Sequence, residues 1–309
     1  MLLLTIDIGG TAAKMALMDE KGVITERTEI STCVNNYEIP ILQLVKEGAE
    51  KFLKKTGAKI DGIGVSAAGQ IDTEQGIVAG TNGRIPHYQG SEVKKEMEAL
   101  FGVPVWVLND ANAAALGECF VGRAKGKKNV LMVTLGTGVG GGIVLNGQIY
   151  GGALGIAGEI GHFTLYQDGL LCPCGKVGCY EMYASTSALV RKAEETTKEE
   201  GLNGRIIFER AGKGDEVMLS VLDAWMDDIA GGIGGLVHIF NPEMILIGGG
   251  VSTQEELLMK PLRRKVLEGV MPMFAKGLQI ETAVLGNDAG CIGAGKFWLD
   301  QDEQDPDRG

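Results

Sequence analysis

Twice in this chain a run of apolar residues ends in a glycine–threonine turn and returns as a second apolar run. Residues 2–8 (LLLTIDI) lead through Gly9, Gly10 and Thr11 into residues 14–19 (KMALMD), which open with Lys14. Residues 129–145 repeat the pattern around Gly136, Thr137, Gly138 and Gly140. Both read as strand, tight turn and returning strand. Such a turn brings bare backbone N–H groups and a threonine hydroxyl to one point, an arrangement that binds phosphate oxygens. Asp7 ends the first strand, where a carboxylate can hold Mg²⁺, usually through water. A single DIGGT is a modest signal, since any hairpin can carry two glycines. Two copies constrain more, because facing nests could grip a nucleotide's phosphates from both sides. Neither is a Walker A loop, which needs GK[ST], or a Rossmann fingerprint, which leads into a helix.

The rest of the chain alternates strands and helices, the pattern of an α/β fold. Residues 38–56 carry apolar positions at helical spacing, and residues 60–67 and 103–108 read as strands. The second of these ends in Asn109-Asp110, before an alanine-rich helix. Asp110 therefore sits at a strand's carboxyl end, where open α/β sheets place their ligands. A carboxylate there suits a general base for a hydroxyl. Asp is equally a good helix N-cap, and the two roles are compatible. Residues 217–240 form a long helix, and the strand at 244–247 runs into Gly248, Gly249 and Gly250. Bare backbone there lets a flat ring lie against it, although an ordinary β–α turn carries the same glycines. From Asp300 the tail is polar and expected to be disordered.

The 48 glycines exceed the roughly 22 of average usage, and the excess falls in runs (IGGT, LGTGVGGGI, IGGGVS) that mark tight turns. The 309 residues suggest two domains or one bilobal one. A net charge of −11 and a pI near 4.9 argue against nucleic acid or an anionic membrane as partner. No apolar segment approaches the roughly 18 residues needed to span a bilayer. Residues 2–4 lack a basic lead and read as a strand, not a signal peptide. Six cysteines in such a chain point to a reducing compartment, so a soluble cytoplasmic protein is expected.

Three of those cysteines lie close to one of the three histidines. His162, Cys172, Cys174 and Cys179 are spaced H-x9-C-x-C-x4-C. One imidazole and three thiolates form a closed tetrahedral set, the composition of a structural zinc site. The bland alternative is a glycine-rich turn with idle reduced cysteines. Glu159 and Glu181 flank the set without belonging to it. A metal-clamped loop that positions carboxylates suggests a place where a small polar molecule is held.

DIGGT, LNDANAAALGE, LGTGVGGGI, ExGH and CxCGxxGCxE follow one another in order from residue 5 to about 297. Together they closely resemble the ROK family of bacterial sugar kinases and repressors. The resemblance implies the two-lobed actin-like (ribonuclease H-like, hexokinase-type) ATPase fold with an interlobe cleft. The expected lobes are residues 1–113 with 288–300, and residues 114–287, followed by a disordered tail at 301–309. It implies Mg-ATP held by Asp7, Gly9, Gly10, Thr11, Lys14, Gly136, Thr137, Gly138 and Gly140, with Gly249 and Gly250 on the adenosine side. Asp110 matches the catalytic base. Asn109, Glu159, His162 and Glu181 match sugar contacts, and His162, Cys172, Cys174 and Cys179 a structural zinc. His162 would hold zinc with one ring nitrogen and present the other to the sugar. The implied reaction is phosphorylation of a hexose primary hydroxyl, O6, by a homodimer or higher assembly.

One segment departs from the family pattern. Where many members have Asn-x-Pro-Gly-Trp, this chain has Arg84-Ile85-Pro86-His87-Tyr88, and Asn82 stands two residues earlier as a substitute. Glucose is the first expectation, with N-acetylmannosamine or a β-glucoside as alternatives. A repressor is disfavoured, because DIGGT at residue 7 leaves no room for a preceding helix-turn-helix and the charge is wrong for DNA. A catalytically silent sugar sensor predicts loss of the base or a turn, yet Asp110, Thr11 and Thr137 are all present.

Overall fold

The computed structural model describes residues 1–81 and 85–304. Asn82 and Arg84 therefore lie outside the described residues, as does the tail beyond residue 304. The chain opens with β1 (Leu2–Ile8), β2 (Ala12–Asp19) and β3 (Ile24–Ser31), then α1 (Ile41–Thr56) and β4 (Gly62–Ala67). A small ribbon of β5 (Gln70–Asp72) and β6 (Ile77–Gly80) precedes α2 (Val93–Phe101), β7 (Val105–Asn109) and α3 (Asp110–Phe120). The sheet order is β3-β2-β1-β4-β7, antiparallel through β1–β3 and parallel through β1, β4 and β7. All six residues of β4 are buried, as a parallel strand covered on both faces must be. The edge strand β3 (ITERTEIS) is largely exposed, and its charges hide it from an apolar-run reading while protecting the sheet edge.

The second sheet repeats this plan. It comprises β8 (Val130–Leu135), β9 (Val139–Leu145) and β10 (Gln148–Ile149), then β11 (Met244–Gly248) and β12 (Gln279–Thr282). Its order is β10-β9-β8-β11-β12, with β8, β11 and β12 parallel and β9–β10 antiparallel. Between β10 and β11 come the cysteine loop, α4 (Glu181–Ala184), α5 (Thr186–Thr197), α6 (Gly204–Gly212) and α7 (Glu216–Phe240). Ser185, Asn203 and Asp215 cap α5, α6 and α7, each accepting the N–H groups that a helix start leaves unpaired. Between β11 and β12 lie α8 (Lys260–Gly269) and α9 (Pro272–Ala275), and α10 (Ala289–Gln304) closes the chain.

Two compact units result. The first holds Met1–Gly126, Gly142–Ala157 and Asn287–Gly309, and the second Lys127–Gly141 and Gly158–Gly286. The division differs from the expected boundary at residue 113. Helix α3 remains with the first unit because α10 lies along it, while Trp298 of α10 donates from Nε1 to the Pro104 carbonyl at 2.9 Å. The chain leaves the second unit partway along β9. Helix α10 also runs to Gln304, into the segment expected to be a disordered tail from Asp300. Among the described residues, no helix is long and apolar enough to cross a membrane.

Candidate active site

In the first unit the parallel strands β1, β4 and β7 end side by side. Asp7 pairs with Ser66, and Ser66 with Leu108, so the segments after them emerge at one edge. Ser66 is fully buried, and its hydroxyl donates to Asp7 Oδ1 at 2.6 Å. Burial holds the Asp7 carboxyl above its ordinary range, with the Ser66 hydrogen bond and the Lys14 charge opposing. Lys14 stands opposite Asp7 on β2, and its ammonium donates to Asn287 Oδ1 at 3.2 Å. Gly290 forms the floor, since a Cβ built there would lie 2.6 Å from the Asp7 carboxyl carbon. Gly290→Ala is therefore expected to displace the carboxylate and lower kcat/KM by about 10- to 100-fold. Steady-state kinetics beside a urea melt separates this from loss of fold, and an Ala variant with wild-type kinetics would remove Asp7 from the site.

Asn109 and Asp110 stand two strands away from Asp7, roughly 10 Å at the usual spacing. The N-cap of α3 is Asn109, not Asp110: its Oδ1 accepts from the N–H groups of Ala111 at 3.0 Å and Asn112 at 3.2 Å. Its Nδ2 donates to the Gly69 carbonyl at 2.8 Å and to Asp110 Oδ1 at 3.0 Å. All four hydrogen-bonding positions of the amide are thus used. In this structure the Asn109 amide ties Asp110 to the start of α3 and to the Gly69 carbonyl. Asp110 is exposed, and its Oδ1 also accepts from the Ala111 N–H at 2.8 Å. Asn109 supplies the cap, and the Asp110 carboxylate is exposed to solvent. The Tyr88 hydroxyl is buried and finds no hydrogen-bond partner among the described residues, and burial, then the Asp110 and Asp7 charges, raises its pKa.

In the second unit the turn after β8 and the turn after β11 leave neighbouring parallel strands, with Gly248 opposite Thr134. Gly249 has φ +94°, and a Cβ there would lie 2.1 Å from the Leu135 carbonyl, so no other residue fits beside the first turn. The Gly136 carbonyl accepts from the Thr186 N–H at 2.8 Å and from its hydroxyl, and the Thr137 carbonyl from the Ser187 hydroxyl at 2.8 Å. Next to Thr137 is a concavity of about 370 Å³ lined by Thr186, Ser187, Val190, Arg191, Glu194 and Gly204. Sequence reading missed these residues, because their common signal is only a capped helix start.

The metal-ligand set converges as expected. One ligand atom from each of His162, Cys172, Cys174 and Cys179 lies within 4.8 Å of all the others. Cys172 Sγ is 3.8 Å from His162 Nδ1, and Cys174 Sγ is 3.6 Å from Cys179 Sγ. A tetrahedral zinc with bonds of about 2.0–2.3 Å requires edges of about 3.5–3.8 Å, so the donors fit that ion. Burial pushes the Cys179 thiol up to about 12, so ionising it requires a strong positive partner. Tyr180 anchors the loop: it stacks on Phe163 at 5.0 Å and donates to the Ile229 carbonyl of α7 at 2.9 Å.

His162 directs Nδ1 toward the sulfurs, and its Nε2 is 3.9 Å from Glu159. Burial raises the Glu159 carboxyl, while His162 opposes the shift and Glu181 adds to it. Glu181 reaches the glycine turn, where its Oε2 accepts from the Val139 N–H at 2.9 Å. The loop thus delivers an imidazole edge and two carboxylates beside the Gly136–Gly140 turn.

The sequence profile of the ROK family matches residues 3–301. The glucokinase of Halalkalibacterium halodurans is 38% identical over 313 residues, covering 95% of this chain and 93% of that protein. The glucokinase of Thermotoga maritima is 34% identical over 306 residues, covering 94% and 95%. A ROK family glucokinase from Streptomyces griseus, solved with glucose and AMPPNP, matches at a TM-score of 0.80 and 32% identity, covering 96% of this chain and 99% of that one. The chain belongs to the ROK family. Its fold is that of the hexokinase-type two-lobed sugar kinases, and the protein is an ATP-dependent sugar kinase.

Proposed function

We propose that this kinase transfers the γ-phosphoryl group of MgATP to the primary hydroxyl, O6, of glucose, with Asp110 as general base. The observation that carries the reading is the end of the parallel strands in each sheet. Each unit finishes a strand in a glycine–threonine turn with N–H groups that find no acceptor among the described residues, and the first unit adds an exposed carboxylate beside a helix that Asn109 caps. Asp110 accepts the proton as the sugar O–H bond breaks. The hydroxyl oxygen bonds to the γ-phosphorus while the bond to the bridging oxygen breaks, and ADP leaves with that electron pair. Asn109 and the Ala111 N–H hold the carboxylate in place.

The N–H groups of Gly10 and Thr11, and those of Thr137 and Gly138, are offered to phosphate oxygens. Mg²⁺, when bound, neutralises charge on the phosphates, and Asp7 is the carboxylate placed to hold it. Lys14 sets the charge beside Asp7. Gly249 and Gly250 and the concavity by Thr137 suit the adenosine end. Glu159, His162 Nε2 and Glu181 suit sugar hydroxyls, with Glu181 Oε1 turned to the sugar while Oε2 stays on Val139. A structural zinc on His162, Cys172, Cys174 and Cys179 would fix the imidazole tautomer and keep that nitrogen presented.

Glucose is favoured as acceptor because the relatives at 34% and 38% identity along nearly the whole chain are glucokinases. The test is ADP release from MgATP with glucose, N-acetylmannosamine, mannose, fructose and cellobiose, with the product's phosphorylation site read by NMR. Glucose is expected to give the highest kcat/KM and a 6-phosphate. A higher value for another sugar, or a phosphate at another hydroxyl, would overturn the assignment.

A further inference from the structure

The turn after β1 has a problem that its glycines create. With no side chains at Gly9 and Gly10, the peptide planes can turn over at little steric cost, and a carbonyl aimed at a triphosphate repels it. Something must hold the planes, and the chain just after β3 does so. Thr32, fully buried, donates its hydroxyl to the Gly9 carbonyl at 3.0 Å and its N–H to the Thr11 carbonyl at 3.0 Å. Tyr37 donates its hydroxyl to the Gly10 carbonyl at 2.9 Å. Three consecutive carbonyls are thus held by one short segment.

In a trans peptide the carbonyl of one residue and the N–H of the next point in opposite directions. Holding the Gly9 carbonyl sends the Gly10 N–H the other way, and holding the Gly10 carbonyl does the same for the Thr11 N–H. These are the two N–H groups that find no acceptor among the described residues. The segment is itself unusual: Asn36 and Tyr37 are consecutive non-glycine residues in the left-handed region, at φ 54° and 66°. Such strain persists only where the surroundings enforce it, and here it accompanies the Tyr37 hydroxyl's bond to the turn. The second turn is held in the same way, with Thr186 on the Gly136 carbonyl and Ser187 on the Thr137 carbonyl.

We propose that Tyr37 and Thr32 are positioning residues for phosphate binding, holding the Gly9 and Gly10 carbonyls outward so that the Gly10 and Thr11 N–H groups face the nucleotide's phosphates. The proposal rests on the kinase reading above and adds residues that no motif of the sequence marks. Neither side chain needs to touch the nucleotide.

Binding of MgATP, inorganic tripolyphosphate and adenosine is measured by calorimetry on wild-type protein, Tyr37→Phe, Thr32→Val and Thr32→Ser, with a urea melt for each. Tyr37→Phe and Thr32→Val are expected to weaken MgATP and tripolyphosphate about 10-fold, the loss of one well-made hydrogen bond, and to leave adenosine unchanged. Thr32→Ser keeps the hydroxyl and is expected to bind as wild type does. Phe and Val variants that bind MgATP within twofold of wild type would overturn the proposal while the kinase reading stands. An equal loss for adenosine would overturn it too, as a general disturbance. Wild-type protein that binds neither MgATP nor tripolyphosphate would sink the kinase reading, and this inference with it.

Discussion

Asp110→Asn is expected to lower kcat by roughly 10³-fold while the KM for sugar and for MgATP moves by less than about threefold. The substitution is nearly isosteric. The new amide oxygen can still accept from the Asn109 Nδ2 and from the Ala111 N–H, which now reach Asp110 Oδ1 at 3.0 and 2.8 Å. Helix α3 keeps its cap, because the cap is Asn109. What disappears is the lone pair that takes the hydroxyl proton. The variant should therefore fold and bind like wild type and fail only at the chemical step. A quenched-flow measurement of the first turnover checks this directly. A kcat within tenfold of wild type would mean that the proton goes elsewhere.

Cys179→Ser should act on the sugar and not on the chemistry. Cys179 is fully buried, and its sulfur lies in the ligand set with His162, Cys172 and Cys174. A serine oxygen is a poorer zinc ligand, and three remaining donors close no tetrahedron. On the proposed zinc site, loss of the metal releases His162 Nδ1, and Nε2 is then no longer presented beside Glu159. The sugar KM is expected to rise about 100-fold, with zinc lost from the purified protein by elemental analysis. MgATP affinity should change much less, since the Gly9–Thr11 turn is held by Thr32 and Tyr37, neither of which belongs to the ligand loop. A variant without zinc that keeps the wild-type sugar KM would show that the metal does not shape the sugar site.

Much of the fold was legible because its elements are locally encoded. The parallel strands are continuous apolar runs, and the helix in residues 41–56 shows its period. The polar edge strand β3 and the helices α6 and α8 escaped. Their residues are largely charged on the exposed side, and their place is set by what they pack against. The tail was read as disorder from its polar composition, yet α10 continues to Gln304. Its first turns are anchored on α3, Lys296 pairs with Asp300 one turn later, and a helix once nucleated extends at little cost per residue.

Residue order alone determined the chemistry on offer. Four metal ligands at a closing spacing, two glycine–threonine turns and a strand-end Asn-Asp pair admit few uses, because ligand type and backbone freedom are properties of the residues themselves. Only the tertiary structure decided how those groups are aimed. It made Asn109 the cap and left Asp110 exposed. It set Ser66 and Gly290 around Asp7, and it brought Tyr37, 27 residues distant in sequence, onto the Gly10 carbonyl. A hydrogen bond between distant segments exists only once the sheet has brought them together, so no local pattern announces it.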